Sequence, residues 1–153
     1  MGLLEQGEDR MILHYCLLND GIGHKGIAPT KATEGSVCYD LALPQEIYIY
    51  PGEIKCVPLL ISFDITEGYY IEVFPRSSLQ TKYGVISSTS IIDTDYKLGI
   101  HAIMYNTREK NVHFNKGDRV LQFIVKEKQW VELYEIQSIK NITVRGGLGS
   151  TGD

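Results

Sequence analysis

Asn111-Val112-His113-Phe114-Asn115-Lys116-Gly117-Asp118-Arg119-Val120-Leu121-Gln122-Phe123-Ile124-Val125 is the stretch on which the fold turns. Residues 111–114 read as a short strand. Asn115-Lys116-Gly117-Asp118 is a turn, built from residues that tolerate or favour reversal of the chain. The following limb is apolar on both faces except at Gln122. A strand of that kind is buried from both sides and needs other strands around it.

The chain upstream supplies them. Residues 11–18 form a first apolar run. Residues 19–33 carry Gly21, Gly23, Gly26 and Pro29 and read as a loop. Residues 37–43 make a short strand that contains Asp40, and residues 47–50 another that stops at Pro51-Gly52. Residues 53–65 are strand-like, with Pro58 at an edge or a bulge. Glu67-Gly68 turns the chain into a strand over 69–74, and 100–105 is a further strand. Residues 130–136 read as the last strand. Helix is limited to one or two turns near 77–83, because no segment keeps a 3.6-residue apolar period over three turns. Many strands at short spacing predict an all-β sandwich or jelly roll.

The 153 residues suit one domain, and 43% hydrophobic with 22% charged residues is a globular balance. A formal net charge of −4 argues against stable nucleic-acid binding, which rests on neutralising many phosphates. A few converging arginines would still take one phosphorylated small molecule. The three cysteines, Cys16, Cys38 and Cys56, show no metal-ligand spacing. They read as reduced thiols and point to an intracellular location, cytoplasm or nucleus. No apolar run is long enough to span a bilayer, so no membrane partner is expected.

Four segments carry candidate chemistry. Pro75-Arg76-Ser77-Ser78-Leu79 follows a strand, and its guanidinium, hydroxyls and helix-start amides suit phosphate oxygens. The same residues also read as a Ser cap beside a surface Arg. Asp93, just after the apolar pair Ile91-Ile92, is either a rigidly held base or part of an ordinary hairpin tip. Gln122 reads as a hydrogen-bonded polar group in the core. Residues 145–152 are Gly-rich with Ser150 and Thr151, a composition able to wrap phosphates, but they lack the Lys of a P-loop.

Taken in order, these pieces resemble the dUTPase family from about Pro29 to Gly152. The first motif is Gly35-Ser36-Val37-Cys38-Tyr39-Asp40-Leu41. The second is Pro75-Arg76-Ser77-Ser78-Leu79 with Lys82, and the third is Ile91-Ile92-Asp93-Thr94-Asp95-Tyr96. The fourth is Gly117-Asp118-Arg119-Val120-Leu121-Gln122-Phe123-Ile124, and the fifth ends Leu148-Gly149-Ser150-Thr151-Gly152.

The resemblance implies a distorted, β-clip-like jelly roll assembled as a homotrimer with shared active sites, hydrolysing dUTP to dUMP and pyrophosphate with Mg²⁺. It divides the chain into one β domain over 1–144, with 1–10 flexible, and a lid over 145–153. Asp93 matches the catalytic carboxylate that activates water against the α-phosphorus. Asp40 matches the residue that holds Mg²⁺ through water. Arg76, Ser77, Ser78, Gln122 and Arg145 match phosphate contacts. A third-motif hairpin, Ser87 with Ser90, Ile91, Ile92 and Asp93, would read uracil, and Tyr96 would pack on the deoxyribose. Leu148 and Gly149 would belong to the lid. The sequence departs from the family in carrying Ser90 and Leu98 where glycine is usual, and Leu148 in place of an aromatic. Two alternatives stay open: an inactive binding or signalling module of the same fold, and a relative of dCTP deaminase, for which no Glu stands beside the third motif.

Overall fold

The computed structural model describes residues 11–139. The expectations for 1–10 and for the lid, including Arg145, Leu148 and Gly149, lie outside the described residues. Strands dominate: β1 His14–Leu17, β2 Tyr39–Ala42, β3 Ile47–Ile49, β4 Ile54–Pro58, β5 Ile61–Asp64 and β6 Tyr69–Pro75. Then come the helix α1 Ser77–Tyr83 and strands β7 Val85–Ser87, β8 Ser90–Ile92, β9 His101–Asn106, β10 Val112–Phe114 and β11 Arg119–Glu127. The largest sheet is ordered β2-β11-β6-β8 and a second is ordered β4-β9-β7, with the pairs β1-β5 and β10-β3 beside them.

The stretch quoted first lies at the centre of this arrangement. β11 pairs antiparallel with both β2 and β6, so both of its edges are satisfied. Its side chains Val120, Leu121 and Phe123 are buried, as a two-sided apolar run requires. β10, however, pairs with β3 and not with β11. The Asn115–Asp118 turn therefore carries the chain from one sheet to another, and Phe114 becomes a fully buried anchor against the Tyr83 ring at 4.6 Å.

The strand-like run over 53–65 is two strands. They are separated at Leu59-Leu60, where Leu60 takes φ 55. A left-handed backbone costs a β-carbon-bearing residue energy, and tertiary contacts hold it in place. The Leu60 carbonyl accepts the Leu18 amide at 2.8 Å. A β-carbon added at Gly26 would stand 1.9 Å from the same oxygen, so only glycine fits there. Pro58 sits at the end of β4, where it interrupts no ladder.

α1 is the short helix expected. It stops at Gly84, whose left-handed φ of 64 lets its amide return to the Gln80 carbonyl. Residues 130–136 differ from expectation. No strand forms there among the described residues, and Trp130, Val131, Leu133, Tyr134 and Ile136 are exposed, Leu133 at 93%. The apolar residues are there, but among the described residues no partner strand lies beside them.

Candidate active site

Asp40 lies on β2, opposite Gln122 of β11 in the strand register. It is 5% exposed, so its charge must be compensated. Arg76 Nε lies 3.1 Å from Oδ1, and Arg119 Nη1 lies 3.1 Å from Oδ2. Arg76 is the residue between β6 and α1, and its amide donates to the Val120 carbonyl at 3.0 Å. Three strands thus fix one carboxylate and two guanidiniums.

This cluster borders an open cleft of about 270 Å³ lined by Ser36, Cys38, Asp40, Arg76, Ser77 and Gln122 among others. Ser77 and Ser78 open α1, so their amides have no partner within the helix. Gln122 donates its amide N–H to the Pro75 carbonyl at 3.3 Å, which holds the side chain at the cleft. The structure therefore brings Asp40, Arg76, Ser77 and Gln122 together. Cationic and neutral donors converging in one cleft suit a polyanion.

Asp93 is not among them. It follows β8, whose Ile92 pairs with Ile71 of β6. Asp93 therefore stands across from Tyr70, six residues along β6 from Arg76, a separation of roughly 20 Å along the strand. It borders a different cleft of about 370 Å³, with Glu67, Tyr69, Tyr70, Thr94, Asp95 and Lys128. Thr94 Oγ1 donates to the Tyr69 carbonyl at 3.1 Å, and the Tyr96 amide to the Asp93 carbonyl at 3.1 Å. The Asp93 carboxylate is exposed at this pinned turn, with no cation paired to it among the described residues.

The expected third-motif hairpin is not one. β8 pairs with β6, and the flanking strands β7 and β9 belong to the other sheet. Ser87 and residues 90–93 thus lie on a crossover between sheets, with Ser90 and Ile91 on β8 and Ile92 buried. Ser90 and Leu98 need no glycine: Leu60 is the one non-glycine residue with positive φ among those described. Tyr96 packs its ring against the core and donates its hydroxyl to the Gly99 carbonyl at 3.0 Å, which makes it a fixed wall.

No group of three or more His, Cys, Asp or Glu among the described residues is arranged to hold a metal ion. Both Asp40 oxygens already accept from arginine, yet each carboxylate oxygen has a second acceptor direction. The donor set fits a hydrated cation carried by a polyphosphate and not a cation caged by protein. No described helix is long and apolar enough to cross a membrane.

Comparison with known proteins decides the family. The dUTPase family profile matches residues 24–152. A deoxyuridine 5'-triphosphate nucleotidohydrolase of Chlamydia muridarum is 35% identical over 143 residues, covering 91% of this chain and 97% of that protein. One from Avian adenovirus 8 is 30% identical over 128 residues, covering 82% of this chain and 78% of its own. The chain belongs to the dUTPase family. In three dimensions it resembles the Staphylococcus bacteriophage 80alpha dUTPase solved with dUpNHpp, at a TM-score of 0.80 and 19% identity over 92% of this chain and 98% of that one. A mutant dUTPase of phage phi11 of S. aureus, described with a structural Mg(II) ion, aligns at 0.74 with 18% identity, over 84% of this chain and 98% of that one. The distorted jelly roll expected of a dUTPase is the fold observed.

Arg119 is the site residue that sequence reasoning passed over. It stands in the fourth motif, but nothing in the string tells that its side chain meets a carboxylate 79 positions away.

Proposed function

We propose that this chain hydrolyses dUTP to dUMP and pyrophosphate in active sites shared between the subunits of a homotrimer. One observation carries the shared site: the Arg76 cleft and Asp93 occupy opposite ends of β6. An α-phosphorus held by Arg76 of one copy is out of reach of that copy's Asp93. A second copy supplies the base.

Asp93 accepts a proton from a water molecule whose oxygen attacks the α-phosphorus. The bond from that phosphorus to the bridging oxygen breaks, and pyrophosphate leaves. Arg76, Ser77, the Ser78 amide and Gln122 bind the triphosphate oxygens and stabilise charge that builds on them in the transition state. Asp40 would hold, through water, a Mg²⁺ that arrives with the triphosphate, and the ion would supply charge neutralisation there. Backbone groups of Ser87 and of Ser90 to Asp93 address uracil, while the rigid Tyr96 ring closes the space beside C2′ of the sugar. Arg145, Leu148 and Gly149 complete the site as its lid.

Two surfaces support assembly. The outer face of β4-β9-β7 presents Ile54, Ile86, Ile103 and Tyr105, all exposed, and residues 130–136 expose further apolar side chains that pair with no strand among the described residues. Purified protein mixed with dUTP and Mg²⁺ should release pyrophosphate, run at the mass of three chains in light scattering, and release no ammonia from dCTP. Absence of pyrophosphate would end the catalytic reading, and a monomer mass would end the shared site.

A further inference from the structure

We infer that Arg119 is a positioning residue for substrate binding, acting through Asp40 to keep the Arg76 guanidinium free for phosphate; this rests on the phosphate-binding reading of the Arg76 cleft. Gln122 pairs with Asp40 and Leu121 with Leu41, but Ala42 pairs with Arg119, so Val120 is an extra residue in β11. In a regular strand Arg119 and Gln122, three apart, would point to opposite faces. The bulge reverses that parity. Val120 and Leu121 are accordingly both buried in succession, and Arg119 comes round to the Asp40 side of the sheet. On its other edge Val120 faces β6, where its carbonyl takes the Arg76 amide at 3.0 Å in continuation of the β11-β6 ladder, so the residue beside Arg119 also fixes the backbone of Arg76.

The consequence lies in how the carboxylate is divided. A lone carboxylate facing a lone guanidinium favours the two-point, fork-to-fork pair, which would occupy two of the Arg76 nitrogens. Here Arg119 Nη1 holds Oδ2, and Arg76 meets Asp40 through Nε to Oδ1. Of the terminal nitrogens of Arg76, Nη1 has only a long contact of 3.4 Å to the Arg119 carbonyl. Both remain available to an anion in the cleft that Arg76 lines with Ser77 and Gln122. Remove Arg119, and Asp40 is left to draw Arg76 into the two-point pair and away from the cleft.

The test is a double-mutant cycle of Arg119→Gln with Asp40→Asn, read as the affinity of the full chain for dUpNHpp with Mg²⁺ by titration calorimetry. Arg119→Gln alone should weaken binding on the order of tenfold, the size of one lost charge-assisted hydrogen bond. In the Asp40→Asn background the same change should cost less than about twofold, because the route through the carboxylate is already cut. Arg119→Lys, which keeps a charged donor, should restore most of the affinity. In turnover of dUTP, Arg119→Gln should raise KM far more than it lowers kcat, since Asp93 lies in the other cleft. An equal loss in both Asp40 backgrounds, or no loss in either, would overturn the inference. Pyrophosphate release by the unmodified chain is scored separately, so a protein that fails to hydrolyse dUTP at all is recognised as a failure of the functional reading.

Discussion

The Arg76 cleft and the Asp93 turn lie at opposite ends of β6 and are built by opposite rules. In the first, a carboxylate at 5% exposure is held between two guanidiniums on three strands. In the second, the carboxylate is exposed, and only its backbone is fixed, by the Thr94 hydroxyl on the Tyr69 carbonyl and by the turn amide of Tyr96. The difference teaches a division of labour. Donors that must meet a polyanion in one geometry are locked before substrate arrives, which reduces the cost of organising them. On the proposed mechanism, a base that must exchange protons with water stays solvated until another subunit covers it.

The largest effect expected from breaking this contrast is on turnover alone. Asp93→Asn keeps the shape and removes the proton acceptor, so turnover should fall about 10³-fold, within the span of general-base contributions. Affinity for dUpNHpp should stay within about twofold of the unmodified chain, because the locked cleft is untouched. Near-normal turnover would remove Asp93 from the mechanism. Asp40→Leu should do the reverse and damage binding and folding together. It leaves two arginines without their anion, and because both are partly exposed the loss of stability should be about 2 kcal/mol, below the range for a fully buried pair. Chemical denaturation with and without the analogue reads both effects.

Thr94→Val tests the other end. It deletes the hydroxyl that ties the Asp93 turn to β6, so stability should fall by about 1 kcal/mol and turnover should fall with binding preserved. A loss of stability without loss of turnover would mean that the turn need not be held.

The smallest effect is one of pH, on the strand between the two clefts. Glu72 of β6 receives Lys126 and Tyr70, and these bonds, the Lys126 one first, hold its carboxyl below the ordinary 4.5. At Asp20, partial desolvation pushes the carboxyl up, but His24 at 2.5 Å and the Ile22 and His24 amides outweigh it and bring the group to about 2. Both groups bind protons less readily folded than unfolded. Their stabilisation is therefore complete above the ordinary carboxylate value and is lost as pH falls from 4.5 toward 2. Thermal midpoints should drop across that window, and less so in Glu72→Gln.

The sequence made the strands at both ends of the site legible, because their apolar patterns are long enough to stand alone: residues 69–74 against the observed Tyr69–Pro75, and 119–125 against Arg119–Glu127. The one or two helical turns expected near 77–83 correspond to the observed Ser77–Tyr83. What escaped depends on distant contacts. The break at Leu60 is held by Leu18 and Gly26, more than thirty residues away. β8 turned to β6 and not to β9, because the pairing choice depends on which edge is open. The strand expected over 130–136 does not form, because apolar residues alone cannot say whether a partner strand stands beside them, and among the described residues none does. The candidate site divided the same way. Arg76, Ser77 and Gln122 were named through the order of the motifs, and the structure gathers them at one cleft, whereas Arg119 was invisible because a one-residue bulge sets its direction.

Mixing two inactive variants tests the shared site most directly. Asp93→Asn lacks the base and Arg76→Gln lacks the phosphate contact, and each alone should turn over little dUTP. Unfolded together at equal concentration and refolded, they assemble at random, and about one site in four then joins an intact Asp93 from one chain to an intact Arg76 from another. Activity should return to about a quarter of the unmodified level by pyrophosphate release, under the same random-assembly arithmetic. If the mixture, shown by light scattering to have reassembled, stays as inactive as its components, Asp93 and Arg76 act within one chain and the account is wrong.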